Sequence, residues 1–224
     1  MRRKLIPELL DSDAGTPQEV AGSLADLCLV NRWFGGVRSL RKMLEEVASL
    51  AQVRQLSLLD VAAGAGDVAA ELSRQSQRRE MRLEVTLLDR SPAHLTPAVG
   101  MQRIAGDALA LPFCDRSFDV VASSLFLHHL QEDEAVQFLS DALRVCRIAV
   151  LISDLRRSWL HLALTHAGKL FYRSRLTRHD APASVWRAYT ATEIVELARR
   201  ANPPPQRVVQ HNYWMLRSGT ILYR

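Results

Sequence analysis

Residues 58–72, LLDVAAGAGDVAAEL, combine a carboxylate with a run of small side chains. Asp60 ends an apolar run, and Gly64 and Gly66 stand in the turn that follows it. Glycines in such a turn let backbone N–H groups approach a ligand closely at the start of a helix. The spacing Gly-x-Gly-x-x-Ala, completed by Ala69, fits the fingerprint of dinucleotide-binding turns. The stretch therefore predicts a nucleotide-binding site.

The position of Asp60 distinguishes two classes of nucleotide cofactor. Placed before the glycines, its carboxylate would repel the pyrophosphate of a dinucleotide, by ~1 kcal/mol or more. It would instead attract a cofactor that carries an ammonium and a sulfonium group. Asp89 follows at the spacing of a ribose-binding acid, roughly 20 residues on. Gly106–Asp107 places a further acid where an adenine amino group can donate to it, so the cationic cofactor is favoured.

Three side chains that can bind or move a proton follow later apolar runs. His128 and His129 come after the fourth predicted strand, and Asp154 comes after the fifth. Imidazole titrates near neutrality, so either histidine is a candidate general base, which contributes ~10²–10⁴ to a rate. Asp154, together with Arg156, can hold or orient a substrate. The alternative is structural, with one histidine packed beneath a lid and the other in solvent.

Strands that alternate with helices would position these residues on a parallel sheet with right-handed crossovers. The predicted strands lie within segments 56–62, 83–89, 101–113, 117–130 and 148–157, the third ending near Gly106–Asp107, and two more follow at the C-terminus. The predicted helices are two within 17–50, separated at Gly35–Gly36, and others from residues 65, 91, 132 and 190. Segment 158–189 is predicted as an insertion with one helix and one extended segment. Ligands bind at the carboxyl ends of such strands. The residues predicted at that edge are Asp60, Asp89, Asp107, Ser124 and Asp154.

The composition is that of an ordinary globular protein. Its 224 residues are 48% hydrophobic and 24% charged, which suits one α/β domain with additions. Cys28, Cys114 and Cys146 form no CxxC pair, so reduced thiols are expected. The net charge of +5 fits nucleic acid, anionic lipid or an acidic cofactor and selects none of them. Without a membrane-span pattern or a secretory signal, a cytoplasmic protein is expected.

Five segments, in order, resemble the class I S-adenosylmethionine-dependent methyltransferases. They are LLDVAAGAGD, VTLLD, AGDALALPF, SFDVVASSLFLHHL and VLISDLRR, and they cover about residues 55–155. The resemblance implies S-adenosylmethionine as the cofactor. It also implies an α/β, three-layer Rossmann-like methyltransferase fold: a mostly parallel seven-stranded sheet, an antiparallel C-terminal edge and a helical lid. We expect the lid at 1–50 and the methyltransferase domain at 51–224, with a lid insertion at 156–190.

The resemblance further implies roles for the residues around the cofactor. Asp60 would contact its amino end, directly or through water. Gly64 and Gly66 would let the backbone approach the methionine portion, where a Cβ would intrude. Asp89 would accept two hydrogen bonds from the ribose hydroxyls, and Asp107 would accept one from the adenine amino group. The remaining residues expected at the cofactor are Ala62, Arg90, Ala108 and Ser124.

Ala62 departs from the family, most members of which have a third glycine there. An alanine is compatible with the turn if its φ is negative. Structural roles stay open for the other positions. Gly64 and Gly66 can form a plain strand-to-helix turn, Asp89 can cap a helix and Asp107 can stabilise a turn.

The acceptor is predicted only as a class. DVAAGAGDVA is similar to the ubiquinone and menaquinone C-methyltransferases, but that group carries an Arg-Asn pair where this chain has His128–His129. We therefore expect methylation, with oxygen favoured, of a small and partly apolar acceptor: a phenolic, quinone-like or other secondary metabolite. The aromatic residues that can form its pocket are Trp33, Phe34, Trp159, Phe171, Tyr172, Trp186 and Tyr189, although most of them are expected to be ordinary packing residues. No metal is expected, and the protein is expected to be a monomer or homodimer.

Other functions stay open. Segment 169–180, KLFYRSRLTRHD, interleaves aromatic and basic residues as nucleic-acid grooves do, which makes an RNA methyltransferase the main alternative. A non-catalytic S-adenosylmethionine-binding protein is another. An NAD-dependent oxidoreductase is disfavoured because the chain lacks a Tyr-x-x-x-Lys pair. Segment 158–173, SWLHLALTHAGKLFYR, is a candidate for peripheral membrane contact.

Overall fold

The computed structural model describes residues 1–12, 15–33, 35–92, 94–95, 100–213 and 216–224. Strands and helices alternate through the central part of the chain, as the sequence predicts. In chain order the elements are α1 (Pro17–Trp33), α2 (Gly36–Ala51), β1 (Gln55–Val61), α3 (Asp67–Gln77), β2 (Arg82–Asp89), β3 (Gln102–Ala105), β4 (Phe118–Ser124), α4 (Glu132–Val145), β5 (Cys146–Leu155), α5 (Trp159–Gly168), α6 (Arg175–Arg187), α7 (Ala191–Arg200), β6 (Arg207–Tyr213) and β7 (Arg217–Tyr223). Single 3₁₀ turns lie at Leu10–Ser12 and Leu127–His129.

The seven strands form one sheet in the order β3-β2-β1-β4-β5-β7-β6. Strand β1 pairs in parallel with β2 on one side and with β4 on the other. Strand β7 is antiparallel to both β5 and β6. This topology confirms the predicted fold class. The strand order reverses at β1 and β4, so their carboxyl ends border the crevice where ligands bind in such sheets.

Helices cover both faces of the sheet, which is why its central strands β1, β4 and β5 are mostly apolar and buried. On one face, Met43 and Val47 of α2 are fully buried where this helix packs on β5 and β7. On the other, Phe138 and Leu139 of α4 are fully buried, with Leu197 of α7 beside them. Each such side chain stabilises the fold by about 1.5–3 kcal/mol when taken out of water. The result is the three-layer arrangement that the resemblance implies.

Residues 1–12, called the N-terminal arm, lie along α6 near the loop that follows β4. The Asp180 carboxylate of α6 accepts hydrogen bonds from the backbone N–H groups of Leu9 at 2.9 Å and Leu10 at 3.0 Å. Arg3 donates to the carbonyl oxygen of Leu130 at 2.7 Å. Helix α6 in turn packs against α1 and α5. These bonds fix the arm over the carboxyl edge of the sheet.

Segment 158–189 differs from its prediction, because it forms two helices, α5 and α6, and not one helix with an extended segment. The Ser174 hydroxyl begins α6 by accepting the N–H of Leu176 at 3.2 Å. Pro182 lies inside α6, and its neighbours are mixed polar and apolar. A proline and an irregular pattern both conceal helical periodicity, and packing on α1 and α5 decides the conformation.

Two further predicted elements differ. The strand predicted at 117–130 ends at Ser124 and is followed by the 3₁₀ turn. Of the helix predicted from Ser91, the described residues 91, 92, 94 and 95 contain no helix, and residues 93 and 96–99 lie outside the described ranges. The three cysteines are free. None of the helices in the described ranges is long and apolar enough to cross a bilayer.

Candidate active site

A groove of about 100 Å³, called the acidic groove, opens between α1 and the carboxyl ends of β1 and β4. Its lining combines the glycine turn with residues of α1 and with the end of β4. The residues that line it are Leu24, Leu27, Cys28, Asn31, Asp60, Ala62, Ala63, Gly64, Ala65, Asp67, Val68, Ser124 and Leu125. Four of the predicted cofactor residues, Asp60, Ala62, Gly64 and Ser124, therefore share one groove.

Asp60 is buried at the end of β1, close to two further carboxylates. Burial, followed by repulsion from Asp67 and Asp89, raises the pKa of Asp60 to about 7. Ser124, across the groove, has a buried hydroxyl oxygen with no hydrogen-bond partner in the described structure. A positively charged group in the groove would offset the repulsion among these acids. The groove therefore suits a cation.

Asp89 holds the glycine turn against the end of β2. Its Oδ2 accepts the N–H of Gly64 at 2.8 Å, and its Oδ1 accepts the N–H of Ser91 at 3.0 Å. A carboxylate has about four acceptor positions, so ribose hydroxyls can still donate to it. Gly64 and Gly66 both have positive φ, and a Cβ at Gly66 would lie 2.7 Å from Cδ1 of Leu87. The positive φ therefore favours glycine at residue 66, and a Cβ there would also force the Leu87 side chain to shift.

Ala62 has a φ of +57°, so the condition under which an alanine suits the turn is not met. The left-handed conformation costs an L-residue about 1–2 kcal/mol, and glycine avoids this cost. The next N–H, of Ala63, donates to the carbonyl oxygen of Leu88 at 3.0 Å and ties the turn to β2. The fold thus holds Ala62 in a conformation that its side chain disfavours.

Arg90, Asp107 and Ala108, three further residues predicted at the cofactor, differ in exposure. The Arg90 guanidinium donates to the carbonyl oxygen of Asp11 at 2.9 Å, so it contacts the N-terminal arm. Asp107 is exposed, and its carboxylate accepts the N–H of Leu109 at 2.9 Å in a tight turn. Ala108 beside it is buried. Their roles at a cofactor stay predictions.

An apolar cavity of about 150 Å³ adjoins the acidic groove, and the two share Leu27 and Leu125. It lies between the loop after β4 and helices α1, α5 and α6. The residues that line it are Glu8, Leu10, Ser23, Leu27, Val30, Leu125, His128, His129, Leu155, His161, Leu164, Thr165, Tyr172, Thr177, Asp180, Ala181, Ser184, Leu216 and Arg217. Two of the predicted catalytic residues, His128 and His129, thus form part of its wall.

His128 and Asp154 form a buried pair. The backbone N–H of His128 donates to Asp154 Oδ2 at 3.0 Å, and the ring Nδ1 lies 2.7 Å from Oδ1. Burial alone would raise the pKa of Asp154, but the charge of His128 and hydrogen bonds from its ring and backbone outweigh this and lower it. Asp154 is therefore a carboxylate that accepts the Nδ1–H, and in the neutral imidazole Nε2 of His128 is then the acceptor nitrogen.

Sequence reasoning missed Glu8 and Asp11, which the N-terminal arm brings to the histidines. His129 Nδ1 lies 2.6 Å from Asp11 Oδ1. The Glu8 oxygens lie 3.7 Å from His128 Nε2 and 3.9 Å from His129 Nε2. Burial raises the pKa of Glu8 to about 7, although the charge of His129 lowers it in part. No local signal in the sequence marks residue 8, because its position depends on where the arm docks.

Two further cavity residues were also missed. Arg217 is fully buried, donates to Asn31 Oδ1 at 2.9 Å, and leaves Nη1 without a hydrogen-bond partner in the described structure. Burial lowers its pKa to about 10, and Asp154 and Asp67 oppose the shift. His161 hydrogen-bonds the carbonyl oxygen of Arg156 through Nδ1, and burial lowers its pKa to about 4, so it is neutral. Such groups can orient a polar substituent.

Most of the aromatic side chains considered for an acceptor pocket lie outside the apolar cavity. Tyr172 lines the cavity, whereas Trp159 and Phe171 are 66% and 85% exposed. Tyr189 is buried outside the cavity and donates to the Leu130 carbonyl oxygen at 2.9 Å. Trp186 packs edge-on against Trp159. The side chain of Trp33 and all of Phe34 lie outside the described residues.

Comparisons with known proteins agree with this geometry. The family described as a methyltransferase domain matches residues 59–151. The demethylmenaquinone methyltransferase of Thermotoga maritima is 35% identical over 118 residues, 51% of this chain and 46% of that protein. That of Renibacterium salmoninarum is 35% identical over 120 residues, with the same coverage. The chain thus spans about half the length of these curated relatives.

Solved structures resemble nearly the whole chain. The plantazolicin methyltransferase BpumL in complex with SAH has a TM-score of 0.71 at 14% identity, covering 97% of this chain and 94% of that one. Magnesium protoporphyrin IX methyltransferase from Synechocystis PCC 6803, with bound SAH, has a TM-score of 0.56 at 14% identity, covering 85% and 84%. At such identities the likeness concerns the fold. Together with the family match, it confirms the resemblance predicted from the sequence.

Proposed function

We propose that the protein transfers the methyl group of S-adenosylmethionine to an oxygen of a small, partly apolar acceptor, since residues 59–151 match a family described as a methyltransferase domain. The observation that carries this proposal is the junction at Leu125, where the acidic groove meets the apolar cavity. A methyl group held in the groove would face an acceptor in the cavity. In-line methyl transfer requires this juxtaposition of donor and acceptor.

The charge of the groove supports the cofactor assignment. Asp60, Asp67 and Asp89 lie close enough that the latter two raise the pKa of the first. The ammonium and sulfonium groups of S-adenosylmethionine would offset this repulsion. The pyrophosphate of a dinucleotide would add negative charge to a buried acidic site, which is unfavourable. The charge of the groove alone would thus favour S-adenosylmethionine over a dinucleotide, without any contact to the adenine base.

The size and lining of the cavity support a single-ring acceptor. An apolar cavity of about 150 Å³ is large enough for one benzene ring. Leucines from α1 and α5 line its apolar side, and His128, His129 and Glu8 line a polar wall. The unpaired Nη1 of Arg217 can donate to an oxygen of the ring. A phenolic or hydroxyquinone-like acceptor fits this combination.

His128 would act as the general base in this reaction. Asp154 holds its Nδ1–H, so the acceptor hydroxyl can give its proton to Nε2. The acceptor oxygen forms a bond to the methyl carbon while the bond from that carbon to sulfur breaks. The electron pair stays on sulfur, which leaves neutral S-adenosylhomocysteine and the methyl ether. Exclusion of water by α1, α5 and the N-terminal arm would favour the displacement.

The first test is thermal unfolding with S-adenosylhomocysteine, S-adenosylmethionine or NADH. A ligand at 100 times its Kd stabilises by ~2.7 kcal/mol, which is roughly 5–10 °C for a chain of this size. The proposal expects this shift with the two sulfur nucleosides alone. Transfer of a radiolabelled methyl group to a panel of phenols and hydroxyquinones then tests the acceptor class. The variant His128→Asn tests the general base: it should reduce kcat by ~10²-fold or more without changing nucleoside binding. A shift with NADH alone would contradict the proposal.

An apolar acceptor could arrive from a lipid surface, a second proposal that rests on exposed residues near the cavity. Leu170 and Phe171 follow α5 and are 86% and 85% exposed, and Trp159 at its start is 66% exposed. Lys169 and Arg173 flank the first two. Large exposed apolar side chains beside cations are typical of membrane-interface segments. Flotation with vesicles that contain anionic lipid should carry the protein upward, and Phe171→Ser should abolish this flotation. Binding of RNA in place of lipid would favour an RNA methyltransferase.

A further inference from the structure

Glu8, His128 and His129, called the Glu-His-His cluster, lie together in the wall of the apolar cavity. We infer that this cluster binds one divalent transition-metal ion, with Zn²⁺ as the reference ion. The inference of metal binding depends only on these three residues. The role of the ion in activating an acceptor oxygen rests on the proposed function.

The spacing of the three side chains is that of a nearly closed metal site. One possible ligand atom from each residue lies within 4.8 Å of the other two. The Glu8 carboxylate spans both rings, at 3.7 Å from His128 Nε2 and 3.9 Å from His129 Nε2. Metal–nitrogen bonds of about 2.0–2.1 Å and metal–oxygen bonds of about 2.0–2.2 Å would require these atoms to close slightly around the ion.

Both rings are oriented as metal-binding histidines are. The Asp154 carboxylate lies 2.7 Å from Nδ1 of His128, and the Asp11 carboxylate lies 2.6 Å from Nδ1 of His129. A carboxylate on Nδ1 fixes the tautomer that leaves Nε2 unprotonated and makes it a better ligand. Two carboxylate–histidine pairs thus direct both Nε2 atoms toward the same glutamate.

An unsatisfied atom of Glu8 marks where the ion would lie. Its side chain is 5% exposed, and its Oε1 has no hydrogen-bond partner in the described structure. A buried carboxylate oxygen without a hydrogen bond is costly, and coordination to a cation removes that cost. The Arg187 guanidinium lies 3.7 Å from the same oxygen, beyond hydrogen-bond distance.

The donor set and the cavity define the class of ion and its use. Two imidazoles and one carboxylate suit Zn²⁺, Fe²⁺, Co²⁺ or Mn²⁺ better than Ca²⁺ or Mg²⁺, which prefer sites made of oxygen ligands. Three protein ligands leave positions open toward the cavity. An acceptor oxygen bound there would ionise more easily than in water. With the ion present, the histidines are ligands, and the ion replaces His128 as the group that activates the hydroxyl.

The experiment measures metal binding directly. Full-length protein is stripped with EDTA and titrated with Co²⁺ by absorption spectroscopy and with Zn²⁺ by calorimetry. We expect one ion per chain and visible Co²⁺ bands. Glu8→Gln and His129→Asn should weaken binding by ~100-fold or more, and Asp11→Asn, which changes a residue behind the ligand, by ~10–100-fold. His161→Asn removes a buried imidazole of the same cavity outside the cluster and should bind like the unchanged protein.

Two outcomes would overturn the inference: no stoichiometric binding, or binding that the cluster variants leave unchanged. S-adenosylhomocysteine binding, measured on the same samples, keeps this result separate from the proposed function. Retained nucleoside binding without metal binding refutes the metal site alone, and His128 remains the base. Metal binding without nucleoside binding refutes the methyltransferase function and leaves the metal site in place. Thermal unfolding of each variant identifies one that has failed to fold.

Discussion

Replacing Asp60 with asparagine should remove the contribution of Asp60 to the pH dependence of both stability and cofactor affinity. Burial, with repulsion from Asp67 and Asp89, raises the pKa of Asp60 from its ordinary value to about 7 in the folded protein. The protonated form is therefore favoured by folding. The unfolding free energy contributed by Asp60 is fully present below about pH 4 and is lost as the pH rises to about 7. Asparagine mimics the neutral acid at every pH.

The magnitude follows from these two pKa values. The whole loss is ~4 kcal/mol, of which roughly 3 kcal/mol falls between pH 5 and pH 8. The D60N variant should therefore gain roughly 3 kcal/mol over the wild-type protein between these pH values, measured by urea denaturation without cofactor. Other titrating groups cancel in the difference. Asp133→Asn, which removes the same charge from an exposed position at the start of α4, should show no such gain.

Cofactor affinity should change with pH in the opposite sense. If ionised Asp60 binds the ammonium group, wild-type affinity for S-adenosylmethionine should be roughly tenfold lower at pH 6 than at pH 8, since only about one molecule in ten is ionised at the lower pH. The D60N variant should bind more weakly at pH 8 and show no such dependence beyond that of the cofactor. Calorimetry at both pH values gives the comparison. Equal wild-type affinities, or the same tenfold change in D60N, would refute this reasoning.

The remaining predictions concern the backbone turn and the N-terminal arm. Ala62→Gly should raise the free energy of unfolding by about 0.5–1 kcal/mol, because relief of the positive φ exceeds the entropy cost of glycine. Ala63→Gly, at a residue whose φ is not positive, should lower it. Urea denaturation measures both variants. Gly66→Ala should weaken nucleoside binding by at least tenfold in calorimetry, because its Cβ would lie 2.7 Å from Leu87 and φ is positive; unchanged affinity would contradict this. Asp180→Ala should expose the arm to proteolysis, because two backbone N–H groups lose their acceptor at about 1–3 kcal/mol each; an arm as resistant as wild type would show that other contacts hold it.

Local sequence signals were sufficient for the sheet and for the acidic groove. Apolar runs in β1, β2, β4 and β5 suit buried strands, and their alternation with helices predicted a parallel sheet, whereas the three-layer fold was implied by the family resemblance. The acid at the end of β1 and the glycines after it are neighbours along the chain. The geometry of the crevice at the strand ends then follows from topology. For the same reason, Asp60 and Gly64 could be placed in the groove without coordinates.

The conformation of Ala62 required the structure, since no pattern of residue types states a φ value. The N–H of Ala63 is bound to β2 and the N–H of Gly64 to Asp89, and these bonds hold the turn in place. The helix α6 was also missed, because Pro182 and its polar neighbours conceal the period that packing on α1 and α5 enforces.

What the sequence by itself determined is the scaffold and the charge of the acidic groove, because both arise from residues close together in the chain or at the ends of adjacent strands. What only the tertiary structure decided is the polar wall of the apolar cavity. Glu8 meets His128 and His129 across about 120 residues because Asp180 binds the arm to α6. Contacts at such separation depend on how finished elements pack, and that packing leaves no periodic trace in the sequence.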